Sequence, residues 1–291
     1  VPARPVVVVG DLATDVVAVL SGEPAPGSDR PATIRSRGGG AGANVAAHLA
    51  ALGVPVVLAG CVGDDAAGAA LLAELAAAGV RTAVRTVTGA ASGTIVSLVE
   101  PGGQRSMLAD RGANLDLRAN DVPAPGPGGH LHLSGYTLLH ERPRAAGLAA
   151  LAAAREAGCT VSLDPASTGP LTVYGVDRWL ADTAGVDLLL PNAEEARLLS
   201  GRADAGEAAR ALAERHRAVA VTLGAEGALW AAGATLVHRP AHPAVVVDTT
   251  GAGDAFTAGL LSVWLAGGAP ADALDAGLAR AAAVVGRPGA R

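Results

Sequence analysis

Val245-Val246-Val247-Asp248-Thr249-Thr250-Gly251-Ala252-Gly253-Asp254-Ala255-Phe256 runs from an apolar triplet, through two glycines, into an Ala-rich segment. The triplet reads as a buried strand, and residues 253–266 read as a helix. Gly251 and Gly253 let the backbone turn tightly and leave N–H groups uncovered, and the helix start adds the positive end of its dipole. Together these form an anion hole suited to phosphate oxygens. Asp254 falls where the hole meets the helix. A carboxylate is an odd ligand for phosphate but a sensible general base. It can accept a proton from a hydroxyl as that oxygen attacks phosphorus. A lone Gly-x-Gly followed by Asp would be a capped turn; the whole string, placed between strand and helix, carries more.

Outward from this segment the pattern repeats. Strands are expected at Val6–Val9, Val56–Ala59, Leu131–Leu133, Thr160–Leu163, Val186–Leu190 and Val219–Leu223. Helices are expected at 42–52, 65–78 (ending at Gly79), 143–157, 193–200, 205–215 and 271–285. Unbroken apolar strands alternating with helices imply a mostly parallel sheet covered on both faces, a three-layer α/β sandwich. Two stretches break the rhythm. Residues 11–37 are rich in Gly, Pro and Ser; residues 84–110 alternate at Thr94, Val96 and Leu98, with a turn at Pro101–Gly103. Both read as half-exposed antiparallel strands forming a small sheet over a single domain spanning 1–291.

Composition narrows the chemistry. The 291 residues carry a net charge of −5, and every cationic side chain apart from histidine is Arg. With no Lys, Schiff-base chemistry, PLP attachment and a Walker A lysine are excluded. Any phosphate site must use backbone N–H groups, Arg or a metal. No basic footprint points to nucleic acid. Cys61 and Cys159 are too few for a disulfide framework or a Cys-based zinc site and read as small buried hydrophobes. The mean hydropathy of +0.36 raises the question of a membrane. The uncharged runs 38–63 and 255–271 are interrupted by Gly and Pro, short of the ~20 apolar residues a spanning helix needs. Arg4 leads directly into a strand-like run, so no secretory leader is read there, and a cytoplasmic location without membrane contact is expected.

A second Gly-rich loop, Gly38-Gly39-Gly40-Ala41-Gly42-Ala43-Asn44, opens the helix at 42–52. It does not fit a dinucleotide fingerprint, which would need a third Gly at Ala43. It still permits close ligand approach, and Asn44 offers both a donor and an acceptor to sugar hydroxyls. By spacing alone, close packing explains the loop equally well.

These two segments resemble the two signature regions of the PfkB family of carbohydrate kinases, in the ribokinase-like superfamily. Gly10-Asp11-Leu12-Ala13-Thr14-Asp15 resembles the family's opening strand with its substrate-binding Asp. Gly60–Gly68 resembles a further Gly-rich stretch, one residue longer here. Pro191-Asn192-Ala193-Glu194-Glu195 is similar to its Asn-x-x-Glu motif, and Thr222–Gly227 to its nucleotide-binding turn. The resemblance implies a ribokinase-like fold with a β lid, and an ATP-dependent kinase acting on a primary hydroxyl. It makes Asp254 the base, with Gly251, Ala252 and Gly253 as the anion hole. Asn192 and Glu195 would organise Mg²⁺ through water. Thr222, Gly224 and Gly227 would line the ATP site, and Asp15, Gly40 and Asn44 would hold substrate hydroxyls. Asp248 and Thr250 match positions that help bind a monovalent cation, so K⁺ is implied there, with Arg287–Arg291 as the matching C-terminal stretch. Related proteins often form homodimers through the lid. Two departures, Ala41 and Ala13, fall where members nearest ribokinase carry Lys and Asn.

Other residues were weighed separately. His130 and His132 share a strand face and read as structural, without a third metal ligand nearby. Arg105 is a candidate for a substrate carboxylate or phosphate, with a solvated edge charge as the equal alternative. Asp164-Pro165 lies on the sheet's C-terminal edge, where ligands bind, and reads as a turn. With one Phe, two Tyr and three Trp, stacking surface for a nucleobase is scarce, although Tyr136 follows a strand end. The acceptor expected is a sugar. A nucleoside, a keto-deoxy sugar acid and a catalytically silent sensor stand behind it in that order.

Overall fold

Val6–Val9 form β1, and all four valines are buried. Val7 and Val9 join one hydrophobic core, and Val6 and Val8 join the other. A strand whose alternate side chains enter two separate cores must lie mid-sheet with helices on both sides. The computed structural model describes residues 5–23, 26–101, 104–286 and 289–290, with the Arg105 side chain outside the description. The expected turn at Pro101–Gly103 and the Arg287–Arg291 stretch therefore fall partly outside it.

From β1 the chain passes into β2 (Ala13–Leu20), β3 (Ala32–Gly39), α1 (Ala41–Ala51), β4 (Val56–Gly63) and α2 (Ala66–Ala77). Then come β5 (Arg81–Val87), β6 (Gly93–Val99), β7 (Arg105–Asp110), β8 (His130–Ser134), α3 (Tyr136–Leu139) and α4 (Glu141–Glu156). The middle holds β9 (Thr160–Asp164), α5 (Thr168–Tyr174), α6 (Val176–Asp182), β10 (Leu188–Leu189), α7 (Ala193–Ser200) and α8 (Ala205–Ala213). The last elements are β11 (Ala218–Thr222), β12 (Ala228–Ala232), β13 (Thr235–Arg239), α9 (Ala252–Trp264) and α10 (Pro270–Val285).

Nine strands form the large sheet, in the order β13-β12-β11-β10-β9-β8-β1-β4-β5. It is parallel from β5 to β11, and β12 and β13 add an antiparallel edge. One core lies between this sheet and a helical layer that includes α4 and α6 to α8, the other between the sheet and α1, α2, α9 and α10. A separate sheet, β3-β2-β6-β7, projects from β1 and α1. This is the ribokinase-like three-layer fold with its small second sheet.

Two expectations change. Val245–Val247 pair with no strand and are 82%, 64% and 53% exposed. The N–H groups of Val247 and Asp248 donate instead to Val285 O at the end of α10 (2.7 and 3.2 Å). The triplet's apolar side chains serve cavity walls rather than a core, as Val246 and Val247 show. The 84–110 stretch also divides. Its first residues belong to β5 in the large sheet, and the small sheet resumes only at Gly93. The β12–β13 hairpin occupies a stretch in which the sequence marks no element.

His130 and His132 are structural. His130 bonds through its two ring nitrogens to Thr160 Oγ1 and Ser162 Oγ, each at 2.8 Å. His132 Nδ1 meets the same Ser162 hydroxyl at 2.9 Å. Burial pushes the two rings down to about 3 and about 4, so both are neutral. Among the described residues no helix is long and apolar enough to cross a membrane.

Candidate active site

The functional side chains gather at the carboxyl ends of β1, β8, β9 and β10, where open α/β sheets bind ligands. Two cavities flank the start of α9. One, about 460 Å³, lies between the small sheet and the large one and is lined by Asp15, Asn44, Asp164, Glu195, Gly251 and Asp254, among others. The other, about 540 Å³, is mostly apolar, with Gly224, Gly227, Val246, Leu278, Ala282 and Val285 in its wall. Thr222, Thr249, Gly253 and Phe256 border both. The helix start thus stands between a polar chamber and an apolar one.

Gly251 is the residue before the helix and has φ +75°, a left-handed conformation that a side chain resists. A Cβ there would also fall 2.5 Å from the Cβ of Ala290, which is packed beneath the turn. The first i→i−4 bond of α9 is Ala255 N–H to Gly251 O (2.9 Å), so the N–H groups of Gly253 and Asp254 precede the helical ladder. The Ala252 N–H donates to Thr249 O at 3.2 Å, closing the turn before the helix. Gly251 and Gly253 both line the polar chamber.

Asp254 Oδ2 accepts a 2.8 Å hydrogen bond from Asn44 Nδ2, joining the two Gly-rich loops across 210 residues. Asn44 Oδ1 is buried and lacks a hydrogen-bond partner among the described residues. The Asp254 carboxyl is pushed well above the usual carboxylate range. Enclosure by the chamber walls contributes most; the Asn44 bond opposes it, and the carboxylates of Asp164, Asp11 and Asp15 reinforce it. Gly40, with φ +94°, places the Asp11 carbonyl against the loop that presents Asn44.

Asn192 and Glu195 form a reciprocal cap on α7. Asn192 Oδ1 accepts from Glu195 N–H, and Glu195 Oε2 accepts from Asn192 N–H, both at 2.9 Å. Glu195 is only 3% exposed, not a solvated helix residue. Burial and the nearby Asp164 raise its carboxyl to about 8, and Asp164 itself is raised to about 6. Two oxygen-only donors, each disfavouring the other's charge, suit a hard divalent cation with its waters. The chemistry of the donor set therefore fits Mg²⁺.

Asp248 Oδ1 accepts from Thr250 N–H (2.9 Å) and Thr250 Oγ (2.7 Å), and its Oδ2 accepts from Gly289 N–H (3.0 Å). Its carboxylate thereby ties the turn that leads to Gly251 to the 289–290 segment. His48 on α1 holds the same segment: its Nε2 meets Ala290 O at 2.9 Å, and its Nδ1 meets Arg280 Nη2 at 3.0 Å. A carbonyl on one side and a guanidinium on the other fix the ring as neutral, with the proton on Nε2.

Asp15, Gly40 and Thr250 line the polar chamber, Gly224 and Gly227 line the apolar one, and Thr222, expected beside these two glycines, borders both. Arg105 pairs with Val99 at the outer end of β7, two residues before Met107, which lines the polar chamber. Four other residues had little sequence signal. Asp164 lies in the chamber beside Ala166, the only described non-glycine residue with positive φ (79°). Asp11 forms an ion pair with Arg111, whose guanidinium covers the Tyr136 ring at 3.8 Å. Asn114 fixes that corner by bonding both the N–H and the C=O of Leu12. The Asp-Pro step announces a turn whether or not it binds anything. The Asp11–Arg111 pair spans 100 residues and leaves no local pattern.

A sheet with this topology, a left-handed glycine turn at a helix start between two chambers and a carboxylate in the first turn of that helix are the features of a small-molecule kinase. The family model for pfkB family carbohydrate kinases matches residues 3–291, and the chain belongs to that family. It is 37% identical to the ATP-dependent ribose-1-phosphate kinase of Halopiger xanaduensis, covering 91% of this chain and 87% of that one. Its fold is similar to the adenosine kinase of Sinorhizobium meliloti (TM-score 0.87, 26% identity, 99% and 95% covered). It is likewise similar to a putative ribokinase II of E. coli in complex with ATP and Mg²⁺ (TM-score 0.86, 26% identity, 99% and 94% covered). The protein is an ATP-dependent carbohydrate kinase of the sugar and nucleoside type.

Proposed function

We propose that the protein transfers the γ-phosphoryl group of ATP to a primary hydroxyl of a sugar or sugar-like acceptor, with Asp254 as the general base. The observation that carries this reading is the Asn44–Asp254 pair at the start of α9, between the two chambers. The apolar chamber suits an adenine ring and the polar one a polyol. Asp254 takes the hydroxyl proton as the oxygen attacks phosphorus, and ADP leaves. The N–H groups of Gly251 and Gly253, with Ala252 in the same turn, face the charge on the transferring group. Asn192 orients Glu195, and Glu195 with Asp164 would hold Mg²⁺, which supplies neutralising charge to the triphosphate. Asp15, Gly40 and Asn44 position the acceptor. Closure of the small sheet excludes water, protecting ATP from hydrolysis.

A sugar acceptor is favoured over a nucleoside because Arg111 already covers a face of the Tyr136 ring. The raised, hydrogen-bonded Asp254 argues against a silent sensor, which has no use for a base. Asp248 and Thr250, in their tie to Gly289, are the residues a K⁺ requirement would involve. Exposed Ile34 and Leu108 on β3 and β7 support self-association through the small sheet.

A coupled ADP-release assay with Mg-ATP tests the function. The panel is ribose, fructose, ketodeoxygluconate, adenosine, inosine and pseudouridine, plus sugar phosphates, each with and without potassium. A sugar-type acceptor turned over far above the rest is expected. Measurable ATP binding without turnover of any acceptor would refute the kinase reading. A nucleoside preference would refute the choice of acceptor.

A further inference from the structure

We infer that His48 is a positioning residue for phosphoryl transfer: through Ala290 it fixes the Gly251 turn relative to α1, while Asn44 on the same helix fixes Asp254. This rests on the kinase reading above. Asn44 and His48 are four residues apart on α1, so they lie on one face of it, a turn apart. Both are buried. Asn44 Nδ2 reaches Asp254 in the first turn of α9, and His48 Nε2 reaches Ala290 O (2.9 Å). Ala290 is buried too and fills the space beneath Gly251, where an added Cβ would fall 2.5 Å from its Cβ and 2.7 Å from its Cα. α1 and α9 also pack against each other in the same core. One face of one helix therefore holds both the first turn of α9 and the segment under the glycine turn that precedes it.

The bonds around the 289–290 segment divide into two kinds. Gly289 N–H donates to Asp248 Oδ2, and Asp248 belongs to the turn itself. That tie is internal: turn and segment can shift together without breaking it. The His48 bond is external, because it refers the pair to α1. Its direction is set from both sides. Ala290 O can only accept and the Arg280 guanidinium on α10 can only donate, so the ring keeps its proton on Nε2 and points it at the segment. His130 and His132 differ, since they bond Thr160 and Ser162 on the neighbouring strand of the sheet. The N–H groups at the Gly251 turn face charge that is greatest in the transition state. A misplacement of about 1 Å there costs rate more than it costs binding, so the loss belongs in kcat.

The test compares wild type, His48→Leu, His48→Gln, Gly251→Ala and the double variant His48→Leu/Gly251→Ala in the ADP-release assay, with the best acceptor of the panel and potassium held constant. Leu removes the bond to Ala290. Gln keeps an N–H for that carbonyl and an oxygen for Arg280. His48→Leu is expected to lower kcat about tenfold or more, with KM for ATP and acceptor changed less than about threefold. His48→Gln is expected to recover most of the lost kcat, which a merely space-filling role would not require. In the double variant the two losses are expected not to multiply, because both act on one turn. An unmoved kcat in His48→Leu, a Gln variant no better than Leu, or losses that multiply in full each overturn the inference. Should His48→Leu fail to fold, Ala290→Gly takes its place. It removes the methyl beneath Gly251 and keeps the His48 bond; a kcat equal to wild type would then overturn the inference, and a severalfold loss would support it. Should wild type phosphorylate no acceptor, the affinities for ATP and ADP decide. A preference for ATP over ADP that is lost in His48→Leu and regained in His48→Gln upholds the role of His48 while the kinase reading falls. A preference unchanged in His48→Leu, or absent from wild type, overturns it.

Discussion

Replacing Asn44 by Leu removes the amide that holds down the Asp254 carboxyl while nearly preserving the side chain's shape. Asn44 is 4% exposed, so an apolar replacement fits its surroundings. Burial and three neighbouring carboxylates already push Asp254 upward, and the 2.8 Å bond from Nδ2 opposes them. A hydrogen bond to a charged group contributes about 1.5–3 kcal/mol. At about 1.4 kcal/mol per pKa unit, its loss raises Asp254 by about one to two units. A base with a raised pKa is deprotonated only at higher pH, so the acid limb of kcat/KM should move upward by that amount. At pH 7 this lowers the rate about ten- to a hundredfold where the limb is still rising, and the deficit narrows as pH increases. Loss of the Oδ1 contact adds a KM increase that does not change with pH. The assay is ADP release at saturating Mg-ATP from pH 5.5 to 9.5, in wild type and Asn44→Leu. An acid limb at the same pH in both proteins, with a uniform rate loss, would refute the link between this bond and the base.

The remaining predictions follow from the same geometry. Asp254→Asn should lower kcat by roughly 10²–10⁴, the range for a lost general base; turnover near wild type in a stopped-time assay would remove Asp254 from the mechanism. Gly251→Ala should lower kcat by about 10²-fold, the order expected for a misplaced oxyanion donor, because its Cβ would strike Ala290 and its φ is left-handed; a loss under twofold would contradict the anion-hole role. Glu195, raised from 4.5 to about 8, binds its proton more tightly folded than unfolded, so the metal-free protein should lose stability as pH rises from about 4.5 to 8. Glu195→Gln, which can keep the cap on Asn192, should flatten that decline and raise Tm at pH 8 by a few degrees, at roughly 2–4 °C per kcal/mol for a chain this large; equal slopes in the two proteins would show that Glu195 is not the titrating group.

Most elements of the fold are legible as local pattern because their physics is local. Val6–Val9 can only be a two-sided strand, and Ala66–Ala77 is helical between the Asp65 cap and Gly79. Gly251, Gly253 and Asp254 are legible for the same reason: turn, helix start and carboxylate are consecutive. Val245–Val247 misleads because apolar side chains facing a ligand cavity look the same in sequence as those facing a core. Leu188–Leu189 is only two residues long, shorter than its apolar run, although backbone bonds to the neighbouring strands continue at Asp187, Leu190 and Pro191 and Asn192 still bridges Thr222. The Asp11–Arg111–Tyr136 corner and the His48–Ala290 bond were invisible because distant segments must first be brought together. Asp164 shows a different limit, where one residue closes a turn and also faces the chamber.

The separations along the chain have a consequence for how the enzyme comes into being. The Asn44–Asp254 bond spans 210 residues, His48–Ala290 spans 242 and Arg111–Asp11 spans 100. Contacts of this reach form slowly, because the entropy of closing the intervening loops is lost before any of them is rewarded. The strands and helices that such a chain assembles early contain no working fragment of the catalytic centre. Asn44, the proposed base Asp254 and the segment beneath the Gly251 turn meet only when both ends of the chain are in place. On the proposed mechanism, activity is a property of the finished topology: a molecule with the sheet and both cores but without these long-range bonds has no aligned Asp254 and should not discharge ATP.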